Sequence, residues 1–177
     1  LGHGAGGGVE APDLIAATEA ATAAGVSVAL VEQPYLVAGK RSQPAAAKLD
    51  EAWVAIAEEI RGGDLGGLPL IAGGRSAGAR VACRTAAETG AVALLCLAFP
   101  LHSPGKPEKT RLDELDAVTV PVLVVQGDSD PFGMPPQGPN RTVAVVAGNH
   151  GLKKDVDTVA AAVREWLPAV AGAASRP

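Results

Sequence analysis

Aromatic side chains are scarce: they make up 3% of the 177 residues, while apolar residues make up 47%. The core must therefore be filled by Ala, Val and Leu, and such small side chains fill space well when helices lie close on a sheet. Runs rich in Lys and Arg are missing and the net charge is -4, which argues against nucleic acid as a partner. No apolar run reaches the roughly 18 residues needed to span a bilayer, so no membrane partner is expected. Cysteine is limited to Cys83 and Cys96, neither in a CxxC motif. Both read as reduced, buried small hydrophobes rather than a disulfide or a metal site. No signal peptide is visible, and a cytoplasmic location is expected. The length suits one domain, 1–177, able to bury roughly two-thirds of its unfolded surface.

Local patterns suggest alternating strands and helices. Gly4 to Gly8 reads as a loop, and Pro12 opens a helical pattern to Ala24, stopped by Gly25. Val26–Val31 (VSVALV) reads as a buried parallel strand, Gln33–Gln43 as a polar loop. Pro44–Ile60 is a helical pattern with Ala45, Leu49, Trp53, Ile56 and Ile60 near one face. Leu68–Ala72 reads as a strand, Ala77–Thr89 as a helix, and Val92–Ala98 as another strand. Phe99–Leu115 is irregular and polar. Val120–Val125 and Thr142–Val146 read as strands, and Lys153–Val170 as the closing helix. This order implies a parallel sheet with helices on both faces, and ligands bound outside the carboxyl ends of the strands.

Chemistry concentrates at those carboxyl ends. Gly74-Arg75-Ser76-Ala77-Gly78 fits G-x-S-x-G between a predicted strand and a predicted helix. A nucleophile on such a tight turn sits in a strained backbone, and small residues two positions away on either side let the turn close. The plain alternative is a Gly/Ser-rich turn in a chain with 22 glycines. A serine nucleophile needs a base, and the base needs an orienting carboxylate. Of His3, His102 and His150, only His150 follows both Ser76 and a strand-end acid. The acid lies in Gln126-Gly127-Asp128-Ser129-Asp130-Pro131. Asp130 is favoured because Pro131 restricts it to extended conformations. Asp128 stays open as the alternative, and otherwise reads as a turn former bonded to nearby backbone amides.

Gly2-His3-Gly4-Ala5-Gly6-Gly7-Gly8 can bring backbone amides close to a substrate. Two amides, from Ala77 and from Ala5 or Gly6, would form an oxyanion hole worth roughly 3 kcal/mol per donor. His3 would then be structural. The string also fits G-x-G-x-x-G before a helix, with Glu32 as a distant acidic partner, but it lacks the Walker Lys-Ser/Thr ending. A nucleotide site would leave the Ser-Asp-His order as coincidence.

LGHGAGGG, GGRSAGAR, VVQGDSDPFG and GNHGLKK together resemble the α/β-hydrolase superfamily. They look closest to small dienelactone-hydrolase-like proteins, including the KANL/Tex-type α/β-hydrolase-like domain. The resemblance implies a three-layer α/β/α sandwich with a mostly parallel sheet. It implies nucleophile Ser76, acid Asp130, base His150 and oxyanion amides at Ala5 and Ala77, with no metal or organic cofactor. Two departures are expected: the strands upstream of the glycine loop are missing, and no large cap follows Ala98, leaving Phe99–Leu115 as the only cover.

The expected activity is that of a serine hydrolase of the carboxylesterase or dienelactone-hydrolase type. It would cleave a small ester, thioester or lactone through an acyl-enzyme. The alternative is a catalytically idle module that binds other proteins. Arg75 could hold a substrate carboxylate through its fork, or pair with an acid elsewhere. His102, Lys106 and Lys109 could form a pocket wall or a solvated loop, and Gln33 and Tyr35 face the same choice. Trp53 and Trp166 read as core, and Met134 as part of the loop that shapes the acid turn. The partner expected is a small ester-type molecule; no oligomeric state follows from the sequence.

Overall fold

The computed structural model describes residues 1–174, so residues 175–177 of the expected single domain lie outside the described residues. Two short runs, β2 (Ala93–Leu97) and β3 (Val122–Gly127), are buried at every position. Strands of this kind have no solvent face and need helices on both sides. They lie between β1 (Ile71–Arg75) and β4 (Arg141–Val146), all parallel, in the order β1-β2-β3-β4. The register sets Gly73 beside Leu95 and Leu95 beside Leu123. β4, at the edge, is partly exposed, with Val143 in one core layer and Val146 in the other.

Successive residues of β2 and β3 face opposite layers. Leu94, Cys96, Val122 and Val124 pack with α3 (Ala46–Gly62), α4 (Ala77–Thr89) and the short α5 (Leu112–Asp116). Leu95, Leu97, Leu123 and Val125 pack with α1 (Pro12–Ala23) and α6 (Val156–Ala174). The result is the expected three-layer α/β/α sandwich. Each fully buried Leu or Val contributes about 1.5–3 kcal/mol. Trp53 is buried from α3, and Trp166 is half-buried against the α1/α6 layer. Cys83 and Cys96 meet across α4 and β2 with their sulfurs 3.7 Å apart, unbridged. Burial and the neighbouring Cys83 push the Cys96 thiol up.

Three local expectations need correction. Val26–Val31 is extended but is not a strand; only Val31 forms a bridge, to Gly2, which also bridges to Gly74. A strand exists only where a neighbour supplies the ladder, and here the neighbour is Leu1–Gly2 alone. The Leu1 ammonium donates to the Ala29 carbonyl at 2.7 Å, and the Val31 amide donates to the Leu1 carbonyl at 2.9 Å. In line with Leu1 runs an apolar groove of about 390 Å³, walled by Val26, Val28, Leu68, Ile71, Trp166 and Val170. It opens at the amino end of β1, away from Ser76. Second, the strand read as Leu68–Ala72 is displaced to Ile71–Arg75, so Gly73 and Gly74 are strand residues. A Cβ on Gly73 would collide with the Leu95 carbonyl. Third, a four-residue helix, α2 (Pro34–Val37), lies in the stretch read as loop, and α5 lies in the stretch read as irregular.

Candidate active site

Ser76 connects β1 to α4 and carries φ 52°, ψ -108°. A positive φ on a residue with a side chain costs on the order of 1–3 kcal/mol, so the surroundings must hold it. They do so through the backbone. The Ser76 amide donates to Leu97 at 2.8 Å, and the Arg75 amide donates to Gly2 at 2.9 Å. Gly74 and Gly78 flank the turn, and a Cβ on either would run into the backbone of Gly2. This is the steric demand read from G-x-S-x-G, with its cause now visible: the Leu1–Gly2 segment lies against both glycines.

Three distant side chains meet above this turn. The His150 ring lies with Nε2 2.9 Å from Ser76 Oγ and Nδ1 2.8 Å from Asp130 Oδ2. A carboxylate only accepts hydrogen bonds, so Nδ1 carries a proton toward Asp130. Nε2 is then free to accept from the Ser76 hydroxyl. The Asp130 side chain is 1% exposed and that of His150 18% exposed.

The two aspartates differ in what they touch: Asp130 meets the His150 ring and Asp128 does not. Asp130 Oδ1 accepts from the Phe132 amide at 2.8 Å, and Oδ2 accepts from both His150 and the Gln126 side-chain amide, the latter at 2.8 Å. Asp128 points to solvent and accepts from the Gly148 amide at 3.0 Å. That bond, with smaller help from Ser129 and Lys154, holds its carboxyl below the usual carboxylate range. Asp128 thus ties the acid loop to the base loop.

The glycine loop reaches the other side of Ser76. A Cβ on Gly4 would come 3.4 Å from that of Ser76. His3 is buried; Nδ1 donates to the Gly4 carbonyl at 2.7 Å and Nε2 accepts from the Gln33 amide at 3.0 Å. This is the structural role expected of it. The Tyr35 hydroxyl donates to the Ala5 carbonyl at 3.4 Å, so Gln33 and Tyr35 brace the loop. Ala77 is the first residue of α4, where an amide has no acceptor inside the helix. The Ala5 amide makes no hydrogen bond among the described residues.

The remaining candidates do not converge. Arg75 does not stand free for a substrate carboxylate. Its Nε lies 3.0 Å from Asp13 Oδ2, and its Nη2 donates to the His150 carbonyl at 2.8 Å. Burial raises the Asp13 pKa, opposed by the Arg75 charge. His102 packs against Gly133 of the acid loop, with Nδ1 donating to the Ser103 carbonyl at 3.0 Å. Lys106 and Lys109 are exposed, and Met134 is largely exposed. Sequence reasoning missed Asp13, Gln126 and Phe132. The Phe132 ring stacks on His150 with centroids 4.1 Å apart. Among the described residues no group of three or more metal-ligating side chains converges, and no helix is long and apolar enough to cross a membrane.

The sequence profile of the alpha/beta hydrolase domain matches residues 1–167. The chain belongs to the α/β-hydrolase family. Solved structures carry the same fold. A protein of the alpha/beta hydrolase superfamily from Xanthomonas campestris pv. campestris superposes with a TM-score of 0.72 at 20% identity, over 96% of each chain. An α/β serine hydrolase without a lid from Xanthomonas campestris gives 0.73 at 19% identity, over 93% of this chain and 76% of its own. An alpha-beta serine hydrolase homologue from Coxiella burnetii gives 0.71 at 15% identity, over 93% and 83%. No curated protein sequence matches the chain. Among the described residues no large insertion covers the strand ends of this α/β-hydrolase; the stretch 99–116 holds only the short α5.

Proposed function

We propose that this α/β-hydrolase is a serine hydrolase that cleaves small esters, thioesters or lactones through an acyl-enzyme. The observation that carries the reading is the unbroken chain from Asp130 through His150 to Ser76, with contacts of 2.8 and 2.9 Å. Ser76 Oγ attacks the substrate carbonyl while its proton passes to His150 Nε2. Asp130 steadies the imidazolium that results. The carbonyl oxygen becomes an oxyanion, held by the amides of Ala5 and Ala77. Collapse breaks the bond to the leaving group, which takes the proton from Nε2. Water then gives a proton to His150 and attacks the acyl-Ser76, and a second collapse releases the acid and restores the hydroxyl.

The absence of a large insertion over the strand ends favours small substrates of the kind dienelactone-hydrolase-like enzymes accept. Two cysteines without a pairing pattern favour a reducing compartment, the cytoplasm. A fluorophosphonate probe tests the reading: wild type should label at Ser76, and Ser76→Ala should not label. A series of p-nitrophenyl esters of rising chain length should show turnover that declines as the acyl chain grows. A folded wild-type protein that neither labels nor turns over any ester would leave the idle, protein-binding module as the better account.

A further inference from the structure

Asp13 is a fully buried carboxylate that the proposed reaction leaves unused. It stands in the first turn of α1, where Oδ1 accepts from the Leu14 amide at 3.1 Å. Its Oδ2 has Arg75 Nε at 3.0 Å, an ion pair. A carboxylate so placed is costly without its cation. The same guanidinium uses a second nitrogen, Nη2, to donate to the main-chain carbonyl of His150 at 2.8 Å. Arg75 therefore joins three pieces: helix α1, the residue before Ser76, and the turn that carries the imidazole.

We propose that Asp13 and Arg75 are positioning residues that set the distance between Ser76 and His150. The inference rests on Ser76, His150 and Asp130 being the working triad. The need for such a brace is local. His150 sits in a turn beyond the edge strand β4, outside any helix or strand. Asp130 fixes the ring from one side, but ring contacts alone leave the backbone free to shift. Arg75 grips that backbone from the segment that holds the nucleophile, so both reacting groups are referred to one anchor. Asp13 in turn fixes the guanidinium. The planar fork is what lets one side chain do both; an ammonium group at the same place cannot present two donors along one edge.

The test compares wild type with D13N, R75M, R75K and D13N/R75M, all checked for folding by circular dichroism. Each variant is assayed with p-nitrophenyl acetate and with the fluorophosphonate probe. In the folded variants, kcat and the labelling rate should fall about 10- to 100-fold while KM stays within about twofold, because a small misplacement of the base slows only the proton transfer. R75K should resemble R75M. The D13N/R75M double variant should be no slower than R75M, since Asp13 acts through Arg75. The low-field proton between His150 and Asp130, followed by NMR, should shift or broaden in R75M.

If single variants do not fold, D13L/R75M removes both charges together and should fold, as apolar replacement of buried ion pairs often does. It should show the same loss of kcat. A folded R75M or D13L/R75M with wild-type kcat overturns the proposal, as do additive losses in the double variant. A wild-type protein that neither labels nor turns over ester would instead defeat the triad reading on which it rests.

Discussion

The two sides of Ser76 are held in place by different means. On the base side, polar bonds do the work: Asp130 accepts from three donors, and Gln126 is buried with its amide shared among Asp130, Phe99 and Gly133. On the side of the glycine loop, the proposed oxyanion pocket, shape does most of it. Gly2, Gly74 and Gly78 approach backbone to backbone, His3 pins the loop as far as Gly4, and Ala5 to Gly7 are exposed. A proton relay needs fixed angles, which hydrogen bonds provide. An oxyanion pocket needs amides that can meet an incoming atom, and a loop of small residues leaves them uncovered.

The largest effect should separate the two aspartates. D130N should lower kcat by on the order of 10⁴-fold, as expected when an amide cannot hold the correct tautomer. D128N should stay within a few-fold, and steady-state kinetics on p-nitrophenyl acetate would decide; equal losses would erase the distinction between the two loops. Next comes Q126L, which strips a donor from Asp130 and from the Gly133 carbonyl, while the Phe99 carbonyl keeps the Leu101 amide. We expect kcat to fall about 10- to 100-fold and unfolding free energy to fall by about 1–3 kcal/mol in urea titration. H3A sharpens the contrast from the other side. It leaves the Gln33 amide without its acceptor, so stability should again fall by about 1–3 kcal/mol, while kcat should fall less than in Q126L. An H3A variant slower than Q126L would mean that the glycine loop needs its polar pin more than the relay does.

The smallest effect concerns acid stability. Asp128 has its pKa held down chiefly by the Gly148 amide. A depressed folded-state pKa adds stability above the unfolded value of about 3.9, and that stability is lost as pH falls through the folded value. Thermal melts at pH values from 5 down to 2 should therefore show a shallower acid decline in D128N than in wild type. Identical declines would show that the bond between the two loops does not contribute.

What was readable in the sequence was what chain neighbours decide. The Ser76 turn is encoded within five residues, and β2 and β3 are continuous apolar runs whose burial follows from composition. The order Ser76, Asp130, His150 is a one-dimensional fact about a topology, so it can be read before any distance is known. Asp13 and Phe132 were not readable because their partners lie far away in sequence, 62 residues for Asp13–Arg75 and 18 for Phe132–His150. Gln126 was hidden inside a strand pattern that gives no sign of where its side chain turns. Arg75 stood between a substrate carboxylate and a distant acid, because proximity to Ser76 in sequence says nothing of which way a fork points; it pairs with Asp13. Val26–Val31 was misread for the opposite reason: its residues favour a strand, but a ladder needs a partner, and among the described residues only Val31 forms a bridge, to Gly2.

The packing around Gly2 also bears on how this α/β-hydrolase could be re-engineered. A side chain at residue 2 would meet the Trp53 ring, and one at 74 or 78 would meet main chain that has nowhere to retreat. Libraries randomised at these sites would be spent on misfolded clones. Phe132 is no freer, since its ring stacks on His150 at 4.1 Å, so changes of shape belong at the exposed Gly6 and Gly7, where an added Cβ meets nothing within 4 Å.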